Sequence, residues 1–269
     1  MPSSERRVGV SREPDVDYTR VTEATGNRVT REAVSMLYTR YTFAAGFCED
    51  RRVLEVACGT GQGLGHLAKR GKTVVGGDYT GSLIMEAQRH YRGRVPLLRL
   101  DAHTLPFRAS RFDVVVLYEA LYYLTEPDRF LGECTRVLAR PGTLLICTVN
   151  KEWSGFNPSP FSTRYFSAGE LLDLLERHGF VPELYGAFPV ATDSVRDRVV
   201  ALIRRMAVAT HLVPRTMKGK EWLKRLFLGP LVSLPSEVTE SMAPYCAPSR
   251  IAGSSPPPFK VLFAVAHTP

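Results

Sequence analysis

Val53-Leu54-Glu55-Val56-Ala57-Cys58-Gly59-Thr60-Gly61-Gln62-Gly63 is the stretch on which the fold turns. A short apolar run, Arg52–Cys58, ends in glycines and is followed by a helical pattern over Gly63–Arg70 that Gly71 stops. A buried strand that turns through glycine into a helix brings backbone N–H groups close to a ligand. Working outward, the same rhythm continues. Thr73–Gly77 predicts a second strand and Ser82–Tyr91 a second helix; Val95–Leu100 and Phe112–Leu117 predict two more strands. Pro127–Leu138 reads as a helix with proline in its first turn, broken by Pro141-Gly142. Thr143–Val149 reads as a strand, and Ser167–His178 as a helix with Gly179 at its C-cap. Val181–Phe188 and Phe259–Val265 complete the set. Strands alternating with helices predict an α/β fold, a doubly wound and mostly parallel sheet covered on both faces.

Two segments stand outside that rhythm. Residues 1–20 are polar and are expected to be mobile unless a partner orders them. From Arg28 to Phe47, Val29, Ala33, Met36, Leu37, Tyr41 and Ala44 mark one buried helix face. Between the sixth and last strands lie about seventy residues with two amphipathic patterns, Val195–Met206 and Trp222–Phe227, and many Arg and Lys. The expected division is therefore 1–47 as arm and helix, 48–190 as core, 191–258 as helical insertion or lid, and 259–269 as the final strand of the core.

The glycines do not spell a dinucleotide fingerprint. GxGxxG counted from Gly59 meets Leu64 where the third glycine belongs, and counted from Gly61 it meets His66. What stands here is Glu55-x-x-x-Gly59-x-Gly61-x-Gly63. Asp78 follows the second strand, where an acid can accept ribose hydroxyls. Leu97-Leu98-Arg99-Leu100-Asp101-Ala102 then puts another acid beyond the third strand, and Arg136-Val137-Leu138-x-x-Pro141-Gly142-Thr143 precedes the fifth. Together these motifs resemble class I S-adenosylmethionine (SAM)-dependent methyltransferases over roughly Arg28–Val190, with Phe259–Val265 matching the family's final antiparallel strand more loosely.

The resemblance implies a seven-stranded sheet with an antiparallel last strand, SAM as cofactor and S-adenosylhomocysteine (SAH) as product. It implies Glu55, Ala57, Gly59, Gly61 and Asp78 at the cofactor, with Asp101 and the Ala102 backbone at the adenine and Tyr79 packed on adenine or ribose. It also implies Tyr118 and Glu119 beside the methionine moiety and the transferred methyl, with Tyr38 or Tyr41 closing over it.

Because the cofactor supplies the electrophile, the protein has to align a nucleophile, exclude water and, where the nucleophile carries a proton, remove it. His103, Glu119 and Tyr122 are the catalytic candidates, with Tyr123 and Tyr18 behind them. Tyr118-Glu119-Ala120-Leu121-Tyr122 takes the place of the Pro-Pro-aromatic motif of nucleic-acid amino-methylating enzymes. Cys134 sits in a helix rather than a Pro-Cys loop, and a paired-glutamate loop is missing. No His/Asp/Glu cluster has metal-ligand spacing. The aromatics Tyr118, Tyr122, Tyr123, Trp153, Phe156, Phe161, Tyr165 and Phe166 point to a small apolar or aromatic acceptor of natural-product type, methylated on oxygen, nitrogen or carbon. The alternatives are a lipid, isoprenoid or RNA methyltransferase that uses the basic insertion, and a SAM-binding cyclase that does not methylate.

Composition sets the outer limits. The 269 residues are 44% apolar and 23% charged, enough for a core without metals or disulfides. Five scattered cysteines without a CxxC pair fit a reducing cytoplasm. The N-terminus has no secretory pattern, and no apolar run reaches the ~18 residues of a membrane span. The net charge of +8 permits nucleic acid, anionic lipid or an acidic substrate without choosing among them. The expected partners are a small-molecule acceptor and a second copy bound through the N-terminal helix or the insertion. A membrane surface stays open, and nucleic acid is disfavoured.

Overall fold

The computed structural model describes residues 17–190, 230–251 and 259–269. The amphipathic segments Val195–Met206 and Trp222–Phe227 lie outside them, as do residues 1–16. Along the chain run β1 (Arg28–Val29), α1 (Arg31–Ala45), β2 (Arg52–Val56), α2 (Leu64–Ala68), β3 (Thr73–Asp78) and α3 (Gly81–Tyr91). There follow β4 (Leu97–Arg99), β5 (Phe112–Tyr118), α4 (Pro127–Val137), β6 (Leu138–Val149), α5 (Ala168–Arg177) and β7 (Val181–Pro189). The chain closes with β8 (Val232–Ser233), β9 (Ser249–Arg250) and β10 (Phe259–His267).

The main sheet has the order β4-β3-β2-β5-β6-β10-β7-β9. The seven expected strands are present, and the two-residue β9 adds an antiparallel edge to β7. β10 lies antiparallel between β6 and β7, pairing Phe263 with Cys147 on one side and Tyr185 on the other. Strand residues alternate between two cores because the pleat has period two. Leu54, Val56, Val115 and Leu117 meet α4 and α5 on one face. Val53, Val114, Val116 and Tyr118 meet α1, α2 and α3 on the other. Ser167 caps α5 through a capping box with Glu170, and Gly179 follows with φ +78°.

Two features that the sequence reading did not anticipate matter for the site. The described part of the insertion, residues 230–251, holds two short strands and no helix. It forms a strap along α1, which is therefore buried on more than the one expected face. Polar side chains on the second face bond the strap's backbone: Ser35 Oγ donates to the Pro244 carbonyl at 2.5 Å, and Thr39 Oγ1 accepts from Cys246 N at 3.1 Å. The strap also holds the start of the chain, since β8 pairs with β1 and Gly26 N donates to the Leu234 carbonyl. Among the described residues, no helix is long and apolar enough to cross a membrane.

Candidate functional site

A cleft of about 880 Å³ opens at the C-terminal ends of β2, β3, β4 and β5. Strand order reverses between β2 and β5, and in open parallel sheets such a reversal leaves a crevice that no helix fills. Both strands end in non-glycine residues with left-handed backbone, Ala57 (φ +58°) and Glu119 (φ +51°). That conformation costs about 1–3 kcal/mol and tends to be kept at functional sites.

The glycine loop is built by close approach. Gly61 has φ +78°, and a Cβ there would stand 3.0 Å from both Leu64 Cδ1 and Tyr91 Cε2. A Cβ on Gly63 would fall 1.7 Å from the Tyr41 ring, so only glycine lets that ring cross the loop. Gly63 is also the N-cap of α2 and has no side chain with which to cap it. Tyr91, fully buried on α3, takes over: its hydroxyl accepts from Gly65 N at 2.9 Å and donates to the Gly61 carbonyl at 2.6 Å.

Asp78 terminates β3 under the loop. One carboxylate oxygen accepts from Gly59 N at 2.9 Å, and the other accepts from Thr80 N at 2.8 Å. Burial pushes this carboxyl up, and the Thr80 and Gly59 amides oppose that shift. With the Thr80 side chain also bonded to it, the carboxylate still has acceptor capacity for a ligand hydroxyl. Further along, Asp101 Oδ1 accepts from both His103 N and His103 Nδ1 at 2.8 Å, while His103 Nε2 accepts from Glu126 N at 3.3 Å. His103 lines the cleft with both ring nitrogens engaged, so it has no free lone pair with which to take a proton. Tyr79 lines the same end, with the Arg99 guanidinium 5.5 Å from its ring centre.

At the opposite end, Glu119 is partly buried. It accepts from Tyr122 Oη at 3.1 Å and from the Cys147 thiol at 3.6 Å. Burial raises its carboxyl, and the nearby Arg40 guanidinium opposes the shift. Around it stands a wall of rings. Tyr122 stacks on Tyr165 at 4.6 Å and meets Tyr123 at 4.5 Å; Tyr18 reaches Tyr123 at 5.4 Å. Tyr18 sits on a 3₁₀ turn, Tyr18–Arg20, that lies across the start of α3, where Thr19 Oγ1 is 3.2 Å from Ser82 Oγ. The tail therefore folds over the cleft from residue 17 onward.

Of the expected site residues, Ala57, Gly59, Asp78, Tyr79, Asp101, Ala102, His103, Tyr118, Glu119 and Tyr122 line this one cleft. Tyr38, Glu55 and Gly61 do not. Tyr38 turns to the strap, its hydroxyl accepting from Ser241 N at 3.0 Å, and Tyr41 takes the cleft-facing position. Glu55 lies beneath the loop, 1% exposed, accepting from Tyr41 Oη at 2.5 Å; burial pushes its carboxyl up to about 8. Among the expected acceptor-side aromatics, Phe166 is core, Phe161 is exposed and Phe156 packs edge-on to Tyr165 behind the wall. Arg40 and Glu23 line the cleft without having been singled out as site residues. Arg40 carried a signal all the same: it falls on the Leu37–Tyr41–Ala44 stripe of α1, where a charge is costly unless paired.

Residues 54–146 match the family described as a methyltransferase domain. A probable SAM-dependent methyltransferase of Mycolicibacterium smegmatis is 34% identical over 155 residues, 55% of this chain and 59% of that protein. A demethylmenaquinone methyltransferase of Clavibacter sepedonicus is 36% identical over 98 residues, 36% of this chain and 40% of that one. The match thus spans little more than half of the first of these curated relatives and less than half of the second. A crystal structure of a SAM-dependent methyltransferase from Thermotoga maritima, titled a possible histamine N-methyltransferase, superposes with a TM-score of 0.58 at 17% identity. It covers 89% of this chain and 92% of that one, and it supports the fold. Residues 54–146 are thus similar to a methyltransferase domain, and the Mycolicibacterium relative that extends this match carries the name of a SAM-dependent methyltransferase.

Proposed function

We propose, from that premise, that this chain methylates a small aromatic or apolar acceptor at an atom that loses a proton in the reaction. The observation that carries the proposal is the continuity of the cleft, which runs from Asp101 past Asp78 and Gly59 to a carboxylate, Glu119, set among tyrosines. The cradle suits an adenosyl group: Asp101 retains a carboxylate oxygen for an exocyclic amine, Asp78 faces ribose hydroxyls, and Tyr79 offers a ring face. Ala57 and Gly59 supply backbone, and Tyr118 packs beneath the methionine end.

When bound, the cofactor supplies an electrophilic methyl on a sulfonium sulfur. The chain's residues do the rest. Tyr18, Tyr122, Tyr123 and Tyr165 hold a flat acceptor and keep water out, which raises the effective concentration of the nucleophile. A bound cofactor would supply the methyl and retain the released electron pair on its sulfur, and Glu119 would take the proton that the acceptor loses. Tyr122 orients that carboxylate through its 3.1 Å hydrogen bond. His103 serves as an adenine-side support for Asp101 rather than as the base, because both its nitrogens are occupied.

A second reading, an isoprenoid-bearing acceptor, draws on the similarity to the demethylmenaquinone enzyme. The test is SAH formation from SAM with a panel of phenols, aromatic amines and isoprenoid quinols. Turnover with one class, lost in E119Q, is the expected result. SAM binding without SAH release on any acceptor would return the chain to a cofactor-scaffold role such as a cyclase.

A further inference from the structure

Arg40 is buried, with its side chain 9% exposed, and it faces two carboxylates on different parts of the chain. Glu23, on the arm that precedes β1, takes the guanidinium directly: its Oε2 lies 3.2 Å from Arg40 Nη2. Glu119, which follows β5, lines the same cleft as Arg40 and Glu23, and the Arg40 charge opposes the rise that burial gives its carboxyl. The Arg40 Nε–H bonds back to the Met36 carbonyl at 3.3 Å, which pins the guanidinium on α1. The groups facing Glu119 are therefore Arg40 from α1, Glu23 from the arm, Tyr122 from the turn after β5 and Cys147 from β6. The arm is held over the cleft by independent contacts. Tyr18 N donates to Thr80 Oγ1 at 3.4 Å, and the Thr22 methyl stands where a Cβ on Gly59 would meet it at 3.0 Å.

We propose that Arg40 is a positioning residue whose charge Glu23 partly consumes, so that the seated arm leaves Glu119 basic enough to take the acceptor's proton. One buried cation beside one acid would hold that acid ionised and weakly basic. A second acid bonded to the cation removes much of that pull, and burial then favours the protonated form. Glu23 lies 17 residues before Arg40 in sequence and belongs to the covering arm, so the basicity of Glu119 depends on the arm being in place. This rests on the methyl-transfer reading above, which sets Glu119 beside the sulfonium.

The test needs no acceptor. SAM and SAH differ by one methyl and one positive charge at sulfur, so the ratio of their affinities reports the charge of Glu119. Contributions from Asp78 and Asp101 at the adenosyl end are common to both ligands and cancel in that ratio. Calorimetry over a pH series that starts at the ordinary carboxylate range and runs upward should show the preference for SAM growing as pH rises through the Glu119 titration, on the order of tenfold for one charge pair in a partly screened cleft. In E23Q the midpoint should move to lower pH, because Arg40 then acts on Glu119 alone. In E119Q the pH dependence should vanish. An unchanged midpoint in E23Q, with both ligands still bound, overturns the role of Glu23 and Arg40. Failure of wild-type protein to bind either ligand overturns the methyltransferase reading instead. E23Q alters a half-exposed arm residue, so its circular dichroism should match wild type, and R40K offers a second variant that keeps the buried charge but shortens the reach to Glu23.

Discussion

Tyr91→Phe removes one oxygen and tests how the cofactor loop is held. That hydroxyl sits between the Gly61 carbonyl, at 2.6 Å, and Gly65 N, at 2.9 Å, within a fully buried environment. The phenylalanine ring would fill the same space, so no packing is lost. What remains is a buried helix N-terminal N–H, that of Gly65, without a partner, while the Gly61 carbonyl keeps its bond from Leu64 N at 3.1 Å. Leaving that group unpaired costs about 1–3 kcal/mol, so the substitution should cost roughly 2 kcal/mol. Urea unfolding should show a lower midpoint with an unchanged slope, because the surface exposed on unfolding is the same. SAH affinity measured by calorimetry should fall about tenfold, since Gly59, Thr60 and Gln62 of the released loop line the cleft. Tyr38→Phe is the control. Its hydroxyl accepts a single bond from Ser241 N outside the cleft, so it should cost about 1 kcal/mol and leave SAH binding unchanged. A Tyr91→Phe protein within about 0.5 kcal/mol of wild type would refute the capping argument. A Tyr38→Phe protein that binds SAH as poorly as Tyr91→Phe would refute its link to the site.

Asp78→Asn replaces a carboxylate oxygen with an NH₂ that cannot accept from Gly59 or Thr80, and it removes a charge from the ribose end. SAH affinity should drop about a hundredfold while the fold survives, and calorimetry with circular dichroism measures both. Glu55 has a folded pKa of about 8 against 4.5 in the unfolded chain. A raised acid pKa means that the folded state binds the proton more tightly, so its contribution to stability is whole below 4.5, is lost as pH rises through 8, and is constant above. The stability difference between wild type and Glu55→Gln should therefore drift in favour of the variant across that interval and stay level on either side. A flat difference across the whole range in thermal melts would sink the argument.

Much of the core and part of the site were legible in the sequence because they depend on neighbours along the chain. The strand–glycine–helix turn at Val53–Gly63, the acids at the ends of β3 and β4, and the Ser167–Glu170 cap are all written within a few residues of where they act. Period-two burial on continuous apolar runs placed the strands, and only the edges shifted. Between β4 and β5 the chain makes a short turn at Asp101–Thr104, where Asp101 accepts from His103 N.

What only the tertiary structure decided concerns pairs far apart in sequence. Tyr38 and Tyr41 are indistinguishable by helical spacing. The strap at Ser241 claims one, and the absence of a Cβ on Gly63 admits the other to the cleft. His103 was a candidate base until Glu126 N, 23 residues on, occupied its second nitrogen. Arg40 read as one charge on an apolar stripe, and its meaning came from Glu23 and Glu119 converging on it from two other segments. Local sequence determines which backbone conformations are cheap and which faces are apolar. Which lone pairs and charges are left over to act on a ligand is settled only when distant segments have met and satisfied one another.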